Sequence, residues 1–192
     1  MTSARLYLCR HGDTKWSPVR RLAGSRTDLD ITADGEATAR RAGDRLRGLG
    51  VTFTRVVSSN LLRARRTAEL AGFPATIDPR LREMDFGDLE GKTLAEIRVD
   101  RPGFTYLGDG CPGGETAADL GARADAVLAD LASVDGHVLI FAHSVMIRVM
   151  SARYLGLPPE RGRNFFVAPG AIAILGWDPV DDAPAIQAWG LT

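Results

Sequence analysis

Hydrophobic positions along the chain fall into two alternating kinds of segment. Short apolar runs rich in β-branched residues occur at Leu6 to Cys9, Arg55 to Ser58, Ala75 to Ile77, Val138 to Ala142, Ala171 to Leu175 and Ala185 to Trp189, and read as strands. Between them lie longer stretches with helical spacing. Thr32 is placed to cap a helix running to about Gly48, Ser59 to cap one through Leu70, and the stretch from about Thr116 to Ser133 carries a long amphipathic helix. A further helix opens at Ser144 and stops near Gly156, ahead of Pro158 and Pro159. Strands separated by helices predict an α/β fold: a three-layer αβα sandwich around a mostly parallel sheet. The segment from Glu83 to Gly114 breaks the pattern. It is glycine-rich, with one helical stretch near Thr93 to Arg98, and so long a connection within a compact domain commonly serves as a lid or binding loop. Substrate contacts are expected there.

Composition changes this picture little. A chain of 192 residues with no internal repeat or linker reads as one domain, residues 1–192, with a loop-rich insertion at about 83–115. The 24 Lys and Arg balance the 24 Asp and Glu, so charge favours neither a nucleic-acid nor a membrane-surface partner. No apolar run is long enough to span a bilayer, and MTSARLYLC lacks the apolar core of a signal peptide, so a cytoplasmic protein is expected. Cys9 and Cys111 make neither a disulfide framework nor a CxxC site, and Cys9 reads as a core residue. A homodimer stays open.

Candidate chemistry sits at the strand ends. In open α/β sheets ligands bind beyond the carboxyl ends of the strands. The first strand runs into Arg10-His11-Gly12, the second into Ser58-Ser59-Asn60-Leu61-Leu62-Arg63, and the fourth into His143-Ser144. If these strands are neighbours, two arginines and two of the three histidines converge. Gly12 would let the backbone turn away. Arginine forks match phosphate oxygens and helix starts add N–H groups, so the constellation suits phosphate chemistry. His137, just before its strand, reads as a surface or turn residue, and Arg65 and Arg66 as the solvated side of their helix.

The ordered segments LYLCRHGDT with Trp16, RLAGSRTDLDITADGEATA, SSNLLRARRTAE, LREMDFGDLEG, PGGET and FAHSVMIRV resemble the histidine phosphatase superfamily, also called the phosphoglycerate mutase-like family. The resemblance covers nearly the whole chain. It implies that His11 is the nucleophile that takes a phosphoryl group, that Arg10, Arg63 and His143 form the phosphate pocket, and that Glu83 is general acid and base. It also implies a phosphoglycerate mutase-like fold, catalysis without metal or other cofactor, and a small phosphorylated metabolite as partner. The DGCPGGET loop resembles sugar-phosphatase members, which makes a sugar phosphate the expected substrate. Three departures stand out. Asp13 replaces the usual Glu of RHGE, Ser17 the usual Asn of the pocket, and Ser144 the usual Gly after the second histidine; the Ser144 N–H could still point at phosphate and its hydroxyl could cap the helix.

Four other readings compete. A mutase of this family carries a longer basic insertion between the catalytic acid and GGE, whereas this chain has only Lys92, Arg98 and Arg101 there. Acyl transfer by Ser144 would need a small residue where Met146 stands. Two well-separated histidines give no ready metal site. A non-catalytic phosphate-binding module would have no use for both His11 and Glu83.

Overall fold

The computed structural model describes residues 4–192. Six strands form one sheet: β1 (Arg5–Arg10), β2 (Phe53–Ser58), β3 (Thr76–Ile77), β4 (His137–Ala142), β5 (Ile172–Asp178) and β6 (Ala183–Leu191), in the order β3-β2-β4-β1-β5-β6. The pairings β3·β2, β2·β4 and β4·β1 are parallel, while β5 and β6 extend the sheet antiparallel. Arg10 pairs with Ala142 across β1 and β4, and Ser58 with Phe141 across β2 and β4. The carboxyl ends of β1, β2 and β4 therefore lie side by side, as the apolar pattern requires.

Strand alternation divides the core between the two faces. Leu6 and Leu8 of β1 with Val138, Ile140 and Ala142 of β4 join one cluster, under helices α5 (Ala117–Leu131) and α6 (Ser144–Tyr154). Tyr7 and Cys9 with Leu139 and Phe141 join the other, under α1 (Ala33–Gly48) and α2 (Leu62–Ala71). Three layers follow. Cys9 is indeed a core residue, and burial pushes its thiol up to about 12.

Thr32 caps α1 as expected, accepting from the Gly35 N–H at 3.2 Å. Two other caps differ from the sequence reading. The second helix begins at Leu62, and its Leu62 N–H donates to Asp28 Oδ1 at 2.7 Å; Ser59 lies upstream, its Oγ accepting from the Leu61 N–H at 3.2 Å and facing His143. In α6 the capping position belongs to His143, and Ser144 is the first helical residue.

Gly12 also serves a different end from the one expected. Its φ is not left-handed. A Cβ there would overlap the carbonyl oxygen of Gly35, and a Cβ on Gly35 would overlap that of Asp13. The two glycines let the β1 loop lie directly on the start of α1.

The segment after Glu83 is more ordered than its glycines suggest. It contains α3 (Leu94–Asp100), whose Thr93 and Glu96 form a capping box, and α4 (Tyr106–Asp109). Phe86, Leu89, Ile97, Phe104 and Leu107 are buried in the larger core cluster, so apolar packing holds the segment on the domain. Among the described residues no helix is long and apolar enough to cross a membrane.

Candidate active site

Beyond the ends of β1 and β4 opens a cleft of about 540 Å³. Arg10, His11, Asp13, Ser17, Glu83 and Ser144 all line it. Walls come from Trp16 and Leu22, and from Phe86, Leu94 and Tyr106 of the segment expected to touch substrate.

His11 is held in one tautomer. Its Nδ1 lies 2.7 Å from the carbonyl oxygen of Gly12, which can only accept, so Nδ1 carries the proton. Nε2 is then unprotonated, and no described residue bonds to it. Burial, followed by the charges of Arg63 and Arg10, holds the His11 pKa well below the ordinary histidine value. A neutral imidazole with a free lone pair is the nucleophilic form.

Arg10 ends β1 and points one nitrogen at the Val167 carbonyl (2.7 Å). Its Nε–H is buried without an acceptor among the described residues. Buried donors are rarely left so among folded residues, and this one belongs to a side chain that lines the cleft with His11. Ser144, at the first position of α6, has an N–H with no intrahelical partner, on the same cleft.

Arg63 and His143 are fully buried and stand behind these groups. The Arg63 guanidinium donates to the carbonyls of Thr27 (2.8 Å), Ala23 and Gly24 (both 3.0 Å), and its Nε–H to Nδ1 of His143 (3.1 Å). With Nδ1 accepting, His143 carries its proton on Nε2, which lies 2.8 Å from Ser59 Oγ. The His11 and His143 rings sit 5.1 Å apart between centroids. Burial, then the Arg63 charge, keeps His143 well below the ordinary histidine value too.

Glu83 is 4% exposed and is bound to the start of α6. Its Oε1 accepts from the N–H groups of Met84 (3.0 Å) and Met146 (3.1 Å), and its Oε2 from that of Val145 (3.1 Å). The first turn of α6 therefore holds the carboxyl group in place on the cleft. The acids nearby are employed elsewhere: Asp85 pairs with Arg26 at 2.8 Å, Glu90 accepts from Thr27 Oγ1, and Asp88 is exposed. Ser17 closes its own turn, its Oγ accepting from the Thr14 N–H at 3.0 Å, and so has its hydroxyl partly engaged.

Sequence reasoning missed Arg20, Arg21, Phe166 and Pro169, which also line the cleft. The adjacent arginine pair was a readable signal for the first two. For Phe166 and Pro169 there was none, because a long loop brings them in ahead of β5. The DGCPGGET loop does not reach the cleft; it packs beneath the Asp85 to Asp88 turn, with Glu115 N–H donating to Asp85 O at 2.8 Å and Asp88 N–H to Pro112 O at 2.9 Å. His137 is half-buried at the start of β4, 3.4 Å from the Tyr7 hydroxyl and remote from the cleft.

A buried histidine just beyond the first strand, an arginine at the end of that strand, another in the first turn of α2 and a second histidine between β4 and α6 define an α/β protein of the histidine phosphatase kind. Residues 6–192 match the family model of the histidine phosphatase superfamily, branch 1, and the chain belongs to that family. It is 36% identical over 166 residues to a probable phosphoglycerate mutase, GpmB, of Salmonella newport (strain SL254), covering 80% of this chain and 76% of that one. The structure of the open reading frame Rv3214 product from Mycobacterium tuberculosis superposes with a TM-score of 0.92 at 32% identity, covering 98% of each chain. The mycobacterial glucosyl-3-phosphoglycerate phosphatase Rv2419c, in complex with VO3, superposes with a TM-score of 0.85 at 27% identity, over 99% of this chain and 100% of that one.

Proposed function

We propose that the protein is a metal-independent phosphomonoesterase that hydrolyses a small phosphorylated metabolite through a phosphohistidine on His11. The observation that carries this reading is the Nδ1–H bond from His11 to the Gly12 carbonyl, which leaves Nε2 as a bare nucleophile on the cleft. In the first step Nε2 attacks phosphorus and the ester P–O bond breaks. The guanidinium of Arg10 and the N–H of Ser144 meet the phosphoryl oxygens. Arg63 adds its charge from behind, and the Nε2–H of His143 is a donor that a phosphate oxygen can share with Ser59. Fixed cations already in place stabilise the charge spread over the transferring group. That is the work a metal would otherwise do.

As the P–O bond breaks, the leaving alkoxide takes a proton from Glu83. Oε2, which accepts one backbone N–H against two at Oε1, is the oxygen with room for that proton. In the second step Glu83 removes a proton from water, the water oxygen bonds to phosphorus, and the P–N bond breaks to release phosphate. A sugar ester suits the aromatic walls, whose flat faces pack against ring carbons, and one relative is named for a glucosylated phosphoglycerate.

The name of the Salmonella relative raises mutase activity as a second reading. Lys92, Arg98 and Arg101 do not line the cleft; Arg98 donates to the Phe104 carbonyl and Arg101 lies over the Phe104 ring. Retention of a bisphosphate would have to rely on other groups, which favours hydrolysis. Acyl transfer by Ser144 lacks its base, because the His143 ring is taken up by Arg63 and Ser59. Release of inorganic phosphate, measured beside interconversion of phosphoglycerates, tests the proposal. Phosphate release lost in His11→Ala supports it, and phosphoglycerate interconversion faster than release would replace it with the mutase reading.

A further inference from the structure

Two features of the chain have no part in the phosphoryl transfer itself. The PGGET segment stays beneath the Asp85 to Asp88 turn, and Arg123 of α5 is a charged side chain only 8% exposed that does not line the cleft. The two meet. Arg123 holds both carboxylate oxygens of Glu115, the glutamate of that segment, with Nε 3.1 Å from Oε1 and Nη2 2.7 Å from Oε2.

The pair closes on the backbone that carries Glu83. Arg123 donates through Nη1 to the carbonyls of Arg80 (2.7 Å) and Arg82 (2.6 Å), and through Nη2 to that of Glu83 (3.4 Å). From the other side Glu115 Oε2 accepts from the Asp85 N–H at 2.9 Å, and the Glu115 N–H donates to Asp85 O at 2.8 Å. Only Met84 lies between the two grips, and its N–H is taken by Glu83 Oε1. Residues 83–86 belong to no helix or strand, so no regular ladder of backbone bonds fixes them. The same guanidinium stands 3.6 Å from Sδ of Met146, whose N–H is one of those that hold the Glu83 carboxyl. One side chain thus touches both the segment that carries the acid and the helix that receives it. A buried ion pair is weak as a source of stability, whereas a planar fork with several fixed acceptors sets geometry. Proton transfer asks for geometry, because the acid must lie within hydrogen-bond reach of the leaving oxygen.

We propose that the Arg123–Glu115 pair is a positioning device for Glu83: it sets the place of the acid on the cleft, and so the efficiency of proton donation to the leaving alcohol, without touching substrate. The inference rests on Glu83 acting as general acid. It gives the PGGET segment a task other than recognition, the delivery of one half of a clamp.

Rapid-quench formation of phosphohistidine from glycerol phosphate and from para-nitrophenyl phosphate tests this in Arg123→Lys and Glu115→Gln. An ammonium cannot span the acceptors of the fork, and an amide presents one acceptor oxygen where the carboxylate presents two. Both variants are expected to lose roughly ten- to a hundredfold with glycerol phosphate, whose alkoxide needs the proton, and little with para-nitrophenyl phosphate. Added to Glu83→Gln, neither change should lower the glycerol phosphate rate further, since the group being positioned is gone. Equal losses with both substrates, no loss, or losses that add in full to that of Glu83→Gln would overturn the positioning role. Failure of both variants to fold, read by denaturant unfolding, would overturn it too and make the pair a structural clamp. If Glu83→Gln itself harms both substrates alike, the general-acid reading falls and positioning with it; selective damage in Glu83→Gln beside unselective damage in Arg123→Lys removes the positioning role alone.

Discussion

Arg63 and His143 are joined by one buried hydrogen bond, from Nε–H of the arginine to Nδ1 of the histidine at 3.1 Å. That contact fixes the histidine tautomer, and three backbone carbonyls fix the arginine. Arg63→Met would leave Nδ1 and the carbonyls of Ala23, Gly24 and Thr27 without their donor inside the protein. Each buried acceptor so stranded costs about 1–3 kcal/mol. Denaturant unfolding is expected to show a loss of at least about 3 kcal/mol, with phosphate release lost as well. Arg63→Lys should recover little of either, because an ammonium cannot span the same acceptors.

His11 and His143 are both buried with lowered pKa values, and this sets a pH dependence of stability. Unfolded histidine titrates near pH 6.5, so below that value the unfolded chain binds protons that the folded one refuses. Stability from this source is present in full above about pH 6.5 and is lost as pH falls toward the folded values. Unfolding free energy measured from pH 8 to pH 5 should be flat and then decline. In His143→Gln the decline should be shallower, and an unchanged slope would remove His143 from the account.

Glu83→Gln separates the proton-transfer role from the binding pocket. The amide offers one acceptor oxygen where the carboxylate offers two, so at least one of the N–H groups of Met84, Val145 and Met146 loses its bond. A stability loss of about 1–3 kcal/mol is expected. Phosphohistidine formation should fall roughly a hundred- to ten-thousandfold with an alkyl phosphate and far less with a nitrophenyl phosphate, whose leaving group needs no proton. Rapid-quench kinetics with the two substrates checks the difference; equal losses would make Glu83 structural.

Gly12→Ala tests the contact of the β1 loop on α1. The added methyl would meet Gly35 O, and relief requires the loop to move off the helix. A loss of about 1–3 kcal/mol in thermal or chemical unfolding is expected, with weakened catalysis because His11 adjoins the displaced residue. Gly50→Ala supplies a comparison, since a Cβ there meets nothing within 4 Å and only its φ of 66 opposes the change.

The strands and the four long helices were legible because each buries a regular face: period two in β1 and β4, helical spacing in α1 and α5. Arg10, His11, Arg63 and His143 were legible because their strands are neighbours, so chain position alone places them together. Other features depend on distant partners. Ser59 looks like the cap of α2, but its Oγ accepts from the Leu61 N–H, ahead of the helix, and lies against His143 from beyond β4. Glu83 finds its donors on a helix some sixty residues later in the chain, a relation that no local pattern carries. The segment after Glu83 looks like open loop because its buried residues follow no single period.

Trapping the phosphoenzyme tests the central claim most directly. The protein is mixed with a radiolabelled phosphate monoester, quenched under alkaline denaturing conditions that spare phosphohistidine, and digested to locate the label. The account predicts acid-labile label on the peptide containing His11, formed no more slowly than turnover and absent from His11→Ala. Label on Ser144, or phosphate release that continues in His11→Ala, would contradict it.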